Sequence, residues 1–100
     1  MRAAQVDGNQ SEIVAAFRAM GCTVQLLHRV GEGCPDLLVG CSGINLLCEV
    51  KDPRKPPSAR KLNERQQRWH GEWRGQRCVV ETVDDVAALV NATRRAYNVR

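Results

Sequence analysis

The sequence predicts an α/β domain in which helices flank a mixed central sheet. Apolar residues at helical spacing occupy residues 13–20, and a second helical pattern follows Asp84 and Asp85 near the end. Between them lie short β-prone runs punctuated by glycine, and a third helical stretch separates the last run from the first three. The order is therefore helix, strand, strand, strand, helix, strand, helix. That alternation buries each apolar face only if helices pack against the sheet.

Residues 1–8 read as a flexible leader and residues 9–100 as one domain, without repeats or an internal boundary. Asn9 or Ser11 can cap the first helix, whose stripe is Ile13, Val14, Phe17 and Met20 and whose end is Gly21. Thr23 to Arg29 is a β-prone run with Val24, Leu26 and His28 on one face. Gly31-Glu32-Gly33 turns the chain into Leu37-Leu38-Val39, and a glycine turn leads to a second apolar run, 44–50. Pro53, Pro56 and Pro57 oppose regular structure and leave a basic loop. Asn63 can cap a helix from Glu64 to about Trp73, stopped by Gly75. Residues 77–81 form a short strand. Asp84 and Asp85 open the last helix, which runs to about Tyr97, and Arg94 and Arg95 near its end suit its dipole.

One hundred residues make one domain with a modest core. The net charge is +4, and the stretch from Lys51 to Lys61 holds five basic residues against one acid, equal to the whole excess. Such a patch suits a polyanion. Arg54, Lys55, Arg60 and Lys61 are placed to contact phosphates, although solubility alone also selects a charged loop. Five cysteines, an odd number with no C-x-x-C pair, argue against a disulfide framework or a zinc knuckle. Free thiols of a reducing cytosol are the expectation. No run approaches the roughly 18 apolar residues of a membrane helix, and no signal-peptide core is seen, so a cytoplasmic protein is expected.

The chemistry concentrates at Asp36, after Gly33-Cys34-Pro35, and at Glu49-Val50-Lys51. Strand alternation sends Glu49 and Lys51 to the same face. With Ser42-Gly43 as a two-residue loop, Asp36 lies opposite Glu49, with Cβ atoms roughly 4.5–5.5 Å apart. With a three-residue loop, Cys41 to Gly43, Asp36 would face Cys48 and Glu49 would turn away. In the first register two close carboxylates ask for a hard divalent ion, most simply Mg2+. The bland readings are a turn acid for Asp36 and a solvated sheet edge for Glu49 and Lys51.

With Pro35-Asp36, Glu49-Val50-Lys51 and this element order in place, the chain resembles the PD-(D/E)XK nuclease superfamily. Within it, the chain looks like the minimal phage and bacterial VRR-NUC nucleases, which pair a Gly-x-Pro-Asp turn (Gly33 to Asp36) with a Gln-x-x-aromatic helix (Gln66 and Trp69). Trp69 stands where tyrosine is most often found, so a hydroxyl role is absent. The resemblance implies a restriction-endonuclease-like core, αβββαβ plus a C-terminal helix. It implies that Asp36, Glu49 and the Val50 backbone carbonyl bind Mg2+ or Mn2+, and that Lys51 orients or deprotonates the attacking water. It extends the site to Gln66, whose spacing from Asn63 also fits a capping box. Glu12 is a further candidate metal ligand, though an acid in a first helical turn is favoured without any function. Trp69 reads as core packing, and His28 and His70 as structural or exposed. The implied activity is a Mg2+- or Mn2+-dependent deoxyribonuclease selective for DNA structure, on branched or double-stranded DNA, resembling Holliday junction resolvases and working as a homodimer. The alternative is a non-catalytic nucleic-acid-binding module on the same fold.

Overall fold

Ser42 and Gly43 both adopt positive φ, 53° and 80°, which makes a two-residue turn of the kind that matches strand twist. The turn joins β2 (Leu37–Cys41) to β3 (Ile44–Val50), with Cys41 paired to Ile44 and Leu37 to Cys48. That is the shorter of the two registers open to the sequence, and it continues to place Asp36 across from Glu49. The computed structural model describes residues 7–97. Of the leader expected over residues 1–8, residues 1–6 lie outside the described residues, as do residues 98–100 of the domain.

β1 (Thr23–Leu26) pairs antiparallel with β2, and β4 (Arg77–Val80) pairs parallel with β3, giving a mixed sheet of order β1-β2-β3-β4. β1 is shorter than the expected run to Arg29. Its partner begins at Leu37, paired with Leu26, and the preceding Pro35 has no N–H to extend the ladder.

Leu37, Val39, Cys41, Leu46, Cys48, Val50 and Val80 share one buried face of the sheet. Against it pack Ile13, Val14 and Phe17 of α1 (Gln10–Ala19) and Val86 and Val90 of α4 (Val83–Tyr97). α4 starts with a reciprocal cap, in which Asp85 N–H donates to Thr82 Oγ1 and Thr82 N–H to Asp85 Oδ2, each at 3.1 Å. Asn9, at the N-cap position of α1, does not cap it. Its Nδ2 donates to the carbonyls of Lys51 (3.0 Å) and Glu81 (2.8 Å), fastening the start of α1 to the ends of β3 and β4.

The proline-rich loop holds a one-turn helix, α2 (Pro57–Arg60), where no regular structure was expected. Proline at a helix's first position gives up an N–H that would have no partner there anyway, so Pro57 starts the turn rather than preventing it. α3 (Glu64–Glu72) lies over the sheet face opposite α1 and α4, because its Gln66 meets Glu49 and Lys51, which alternate away from Cys48 and Val50. All five cysteines are free. Cys48 and Cys78, directly paired across β3 and β4, have their sulfurs 2.8 Å apart. No helix among the described residues is long and apolar enough to cross a membrane.

Candidate active site

Asp36 enters the site at the mouth of β2, held by the Val50 N–H, which donates to its Oδ2 at 2.7 Å. In paired extended backbone a residue's N–H and carbonyl leave on the same side, so Val50 presents its carbonyl toward Asp36 as well. Glu49 is 3 % exposed and Lys51 8 %, so neither occupies a solvated sheet edge. Both line a cavity of about 390 Å³ with Asp36, Gln66 and Lys55.

One amide organises that cavity. Gln66 Oε1 accepts from Lys51 Nζ at 2.8 Å and from the Asn63 N–H at 2.9 Å, while its Nε2 donates to Glu49 Oε2 at 3.0 Å. Asn63 Oδ1 in turn accepts from the Gln66 N–H, closing a capping box. The cap of α3 and the bridge between Glu49 and Lys51 are thus the same side chain. The side chain that completes the helix cap therefore also reaches Glu49 and Lys51. Lys51 Nζ lies 3.9 Å from Glu49 Oε2, so the amide, not a direct ion pair, sets their spacing.

The electrostatics follow from burial. The Glu49 carboxyl is pushed up to about 9, first by burial and then by the Asp36 charge beside it. The Asp36 carboxyl is also raised, by burial, although the Val50 N–H pulls the other way. Glu49 Oε1 is buried and has no hydrogen-bond partner among the described residues. A buried, orphaned carboxylate oxygen beside a second carboxylate fits a divalent cation, since only a positive charge there would satisfy both acids. Among the described residues no group of three His, Cys, Asp or Glu side chains is gathered to hold a metal. The protein donors that fit are therefore Asp36, Glu49 and the Val50 carbonyl, a small set that suits a cation retaining water or taking substrate oxygens.

Glu12 is placed elsewhere. It is exposed in the first turn of α1 and lines a different cleft, with Asp52, Arg54 and Asp84. The acid that does reach the cavity from this end of the chain is Asp7, whose charge raises both Asp36 and Glu49. Asp7 was assigned to the leader, and an isolated acid before a helix carries no periodic signal that could have singled it out. It pairs with Lys55 at 2.5 Å, which brings one lysine of the basic loop to the cavity wall.

The other basic residues differ. Arg54 is held by Asp52 through its backbone N–H, Nε and NH2, each at 3.0 Å. Lys61 is exposed and Arg60 half-buried. His28 lines the cavity. His70 is buried one turn beyond Gln66, and burial lowers its pKa and keeps it neutral. Trp69 does not join the core cluster but stacks on Trp73.

Gly33 closes the site from the opposite wall. Its φ is +81°, and a Cβ there would lie 2.4 Å from the Arg65 carbonyl oxygen. The turn before Asp36 therefore rests directly on the backbone of α3, one residue from Gln66.

A solved structure described as a VRR_NUC domain matches this arrangement with a TM-score of 0.61 and 31 % sequence identity, over 82 % of this chain and 89 % of that one. The chain belongs to the VRR-NUC domain family. No protein-family model matches the sequence, and no curated protein does. The VRR-NUC domain here has the expected restriction-endonuclease-like architecture, a mixed four-stranded sheet with helices on both faces. Its hairpin supplies the acids and its α3 the amide that spaces Glu49 from Lys51.

Proposed function

We propose that this VRR-NUC domain is a divalent-metal-dependent nuclease of the PD-(D/E)XK type that hydrolyses phosphodiester bonds in DNA and selects its substrate by structure. The observation that carries the reading is the buried Glu49, with its orphaned oxygen, across from the half-buried Asp36 and spaced from Lys51 by Gln66. A module that only bound nucleic acid would gain nothing from two neighbouring acids facing a phosphate, because they repel it.

Asp36, Glu49 and the Val50 carbonyl would hold Mg2+ or Mn2+, which when bound supplies Lewis acidity to the phosphodiester and acidity to a water. Lys51, anchored by Gln66 Oε1, presents its ammonium beside Glu49, where it offsets negative charge accumulating on the phosphoryl oxygens and orients the attacking water. Gln66 fixes both partners at once, which preorganises the pair before substrate arrives. Lys55, Arg60 and Lys61 form the cationic approach for the backbone, positioning DNA without reading its bases. Symmetric cleavage of a junction would require two copies, so a homodimer is part of this reading.

The test is incubation of branched, single-stranded and linear DNA with Mg2+ or Mn2+, comparing the wild type with Lys51→Ala. Cleavage by the wild type, lost in the variant while binding persists, is the expected result. Binding without cleavage under either ion would refute the catalytic reading.

A further inference from the structure

Trp69 and Trp73, one turn apart at the end of α3, stack with ring centroids 4.7 Å apart and planes inclined by 15°. Neither belongs to the buried core, and Trp73 is 44 % exposed. A large aromatic left in water is more informative than a buried one. Trp69 also walls a cleft of about 330 Å³ with Arg65, Arg68, Glu32 and Glu72. Arg65 and Glu32 line both this cleft and the carboxylate cavity, so the two hollows share a wall.

The surrounding charge identifies the class of occupant. Residues 51–77 hold nine Lys and Arg against three Asp and Glu, whereas the rest of the chain holds six against eight. The indole stack thus sits inside the cationic part of an otherwise slightly acidic protein, as a polyanion site requires. Inside the cleft, two arginines balance two glutamates. That suits a flat neutral group with donors and acceptors on its edge, a nucleobase, better than it suits a phosphate. A base in the interior of a duplex has both faces covered, so away from duplex ends an indole can stack only on an unpaired one. Along the helix axis, Trp69 lies about 4.5 Å and Trp73 about 10.5 Å past Gln66, which at about 3.4 Å per stacked nucleotide is one to three steps.

We propose that the Trp69–Trp73 stack and the Arg65–Arg68 cleft form a base-binding subsite that takes an unpaired nucleotide one to three steps from the phosphate at Asp36 and Glu49. The subsite makes single-stranded or frayed segments the preferred substrate. Its distance to the scissile phosphate rests on the nuclease reading above, but its stacking does not.

Trp69 and Trp73 are the chain's two tryptophans, so fluorescence excited beyond the absorption of Tyr97 reports this subsite alone. The full chain in EDTA is titrated with a ten-nucleotide oligothymidylate and, separately, with a relaxed, covalently closed circular duplex, following fluorescence and anisotropy. The single strand is expected to quench the tryptophans and the closed duplex to leave them unchanged. Trp73→Ala is expected to weaken single-strand binding about 5- to 150-fold, with duplex binding unaffected, and Trp73→Phe to recover most of the loss. A single strand that binds without quenching, that does not bind, or that binds Trp73→Ala equally well overturns the subsite. Mn2+-dependent cleavage is followed in parallel. A chain that is quenched but never cuts keeps the subsite and loses the nuclease reading, and one that cuts without quenching loses the subsite alone.

Discussion

Raising the pH should tighten divalent-cation binding steeply, with one proton released for each ion bound. The Glu49 carboxyl is pushed up to about 9, and the Asp36 carboxyl is raised as well. Near pH 7 the metal-free pair therefore holds a proton, about two pH units below the point where Glu49 ionises. A cation needs the ionised pair, so its apparent affinity at pH 7 lies about 100-fold below its limit and changes about tenfold per pH unit. The same displacement fixes the stability profile. A carboxyl whose folded value exceeds its unfolded value stabilises the fold below the unfolded value, near 4.5, and that stability is lost as pH rises toward 9. Metal-free protein should accordingly melt at progressively lower temperature from pH 5 to pH 9, and Mn2+ should reverse the trend. The assay is calorimetric titration of Mn2+ at pH 7 in buffers of different ionisation enthalpy, whose slope gives the protons released. A value near one is expected for the wild type and near zero for Glu49→Gln. Mn2+ binding by the wild type with no proton release would refute a protonated Asp36–Glu49 pair.

Three other outcomes can be measured. Gln66→Ala removes the reciprocal half of the α3 capping box and the bonds that tie Glu49 and Lys51 to α3, while the bond from the residue 66 N–H to Asn63 Oδ1 stays. It should cost about 1–3 kcal/mol in denaturant unfolding and slow cleavage about 10- to 100-fold. Gly33→Ala combines a positive φ with a Cβ 2.4 Å from backbone, whereas a Cβ on Gly43 would meet nothing within 4 Å. The first should cost about 3 kcal/mol and the second about 1–2, so equal midpoint shifts would contradict the close approach at α3. Diamide should cross-link Cys48 to Cys78 within one chain, the diimide taking both electrons and both thiol protons as the disulfide forms, and peptide mapping after proteolysis would find the pair.

The hairpin was the most legible part of the chain. Leu37, Val39, Leu46 and Cys48 alternate onto the core, and a Ser-Gly turn of two residues leaves one register that buries them. Asn63-x-x-Gln66 announced the start of α3, but not that a single amide could cap the helix and reach the acids. Where local rules met tertiary pairing, they yielded. The alternation of Val24, Leu26 and His28 continues past the point where β2 can supply partners, and Pro57 begins a turn that prolines were expected to exclude. Asp7 was invisible for a different reason. Its place depends on contacts of Asn9 with residues 42 and 72 positions away, and separations of that size leave no periodic trace.

Those two bonds of Asn9 also bear on when the protein becomes competent. Their acceptors sit at the carboxyl ends of adjacent parallel strands, and the second is made only after β4 has emerged and docked. Chain segments so far apart close late, because their loop entropy must first be overcome. A nascent polypeptide that has completed the hairpin would already display Asp36 and Glu49, yet Asp7 and its lysine would still be unmoored. Synthesis of nearly the whole domain thus precedes completion of the cavity that Asp7, Asp36 and Glu49 share.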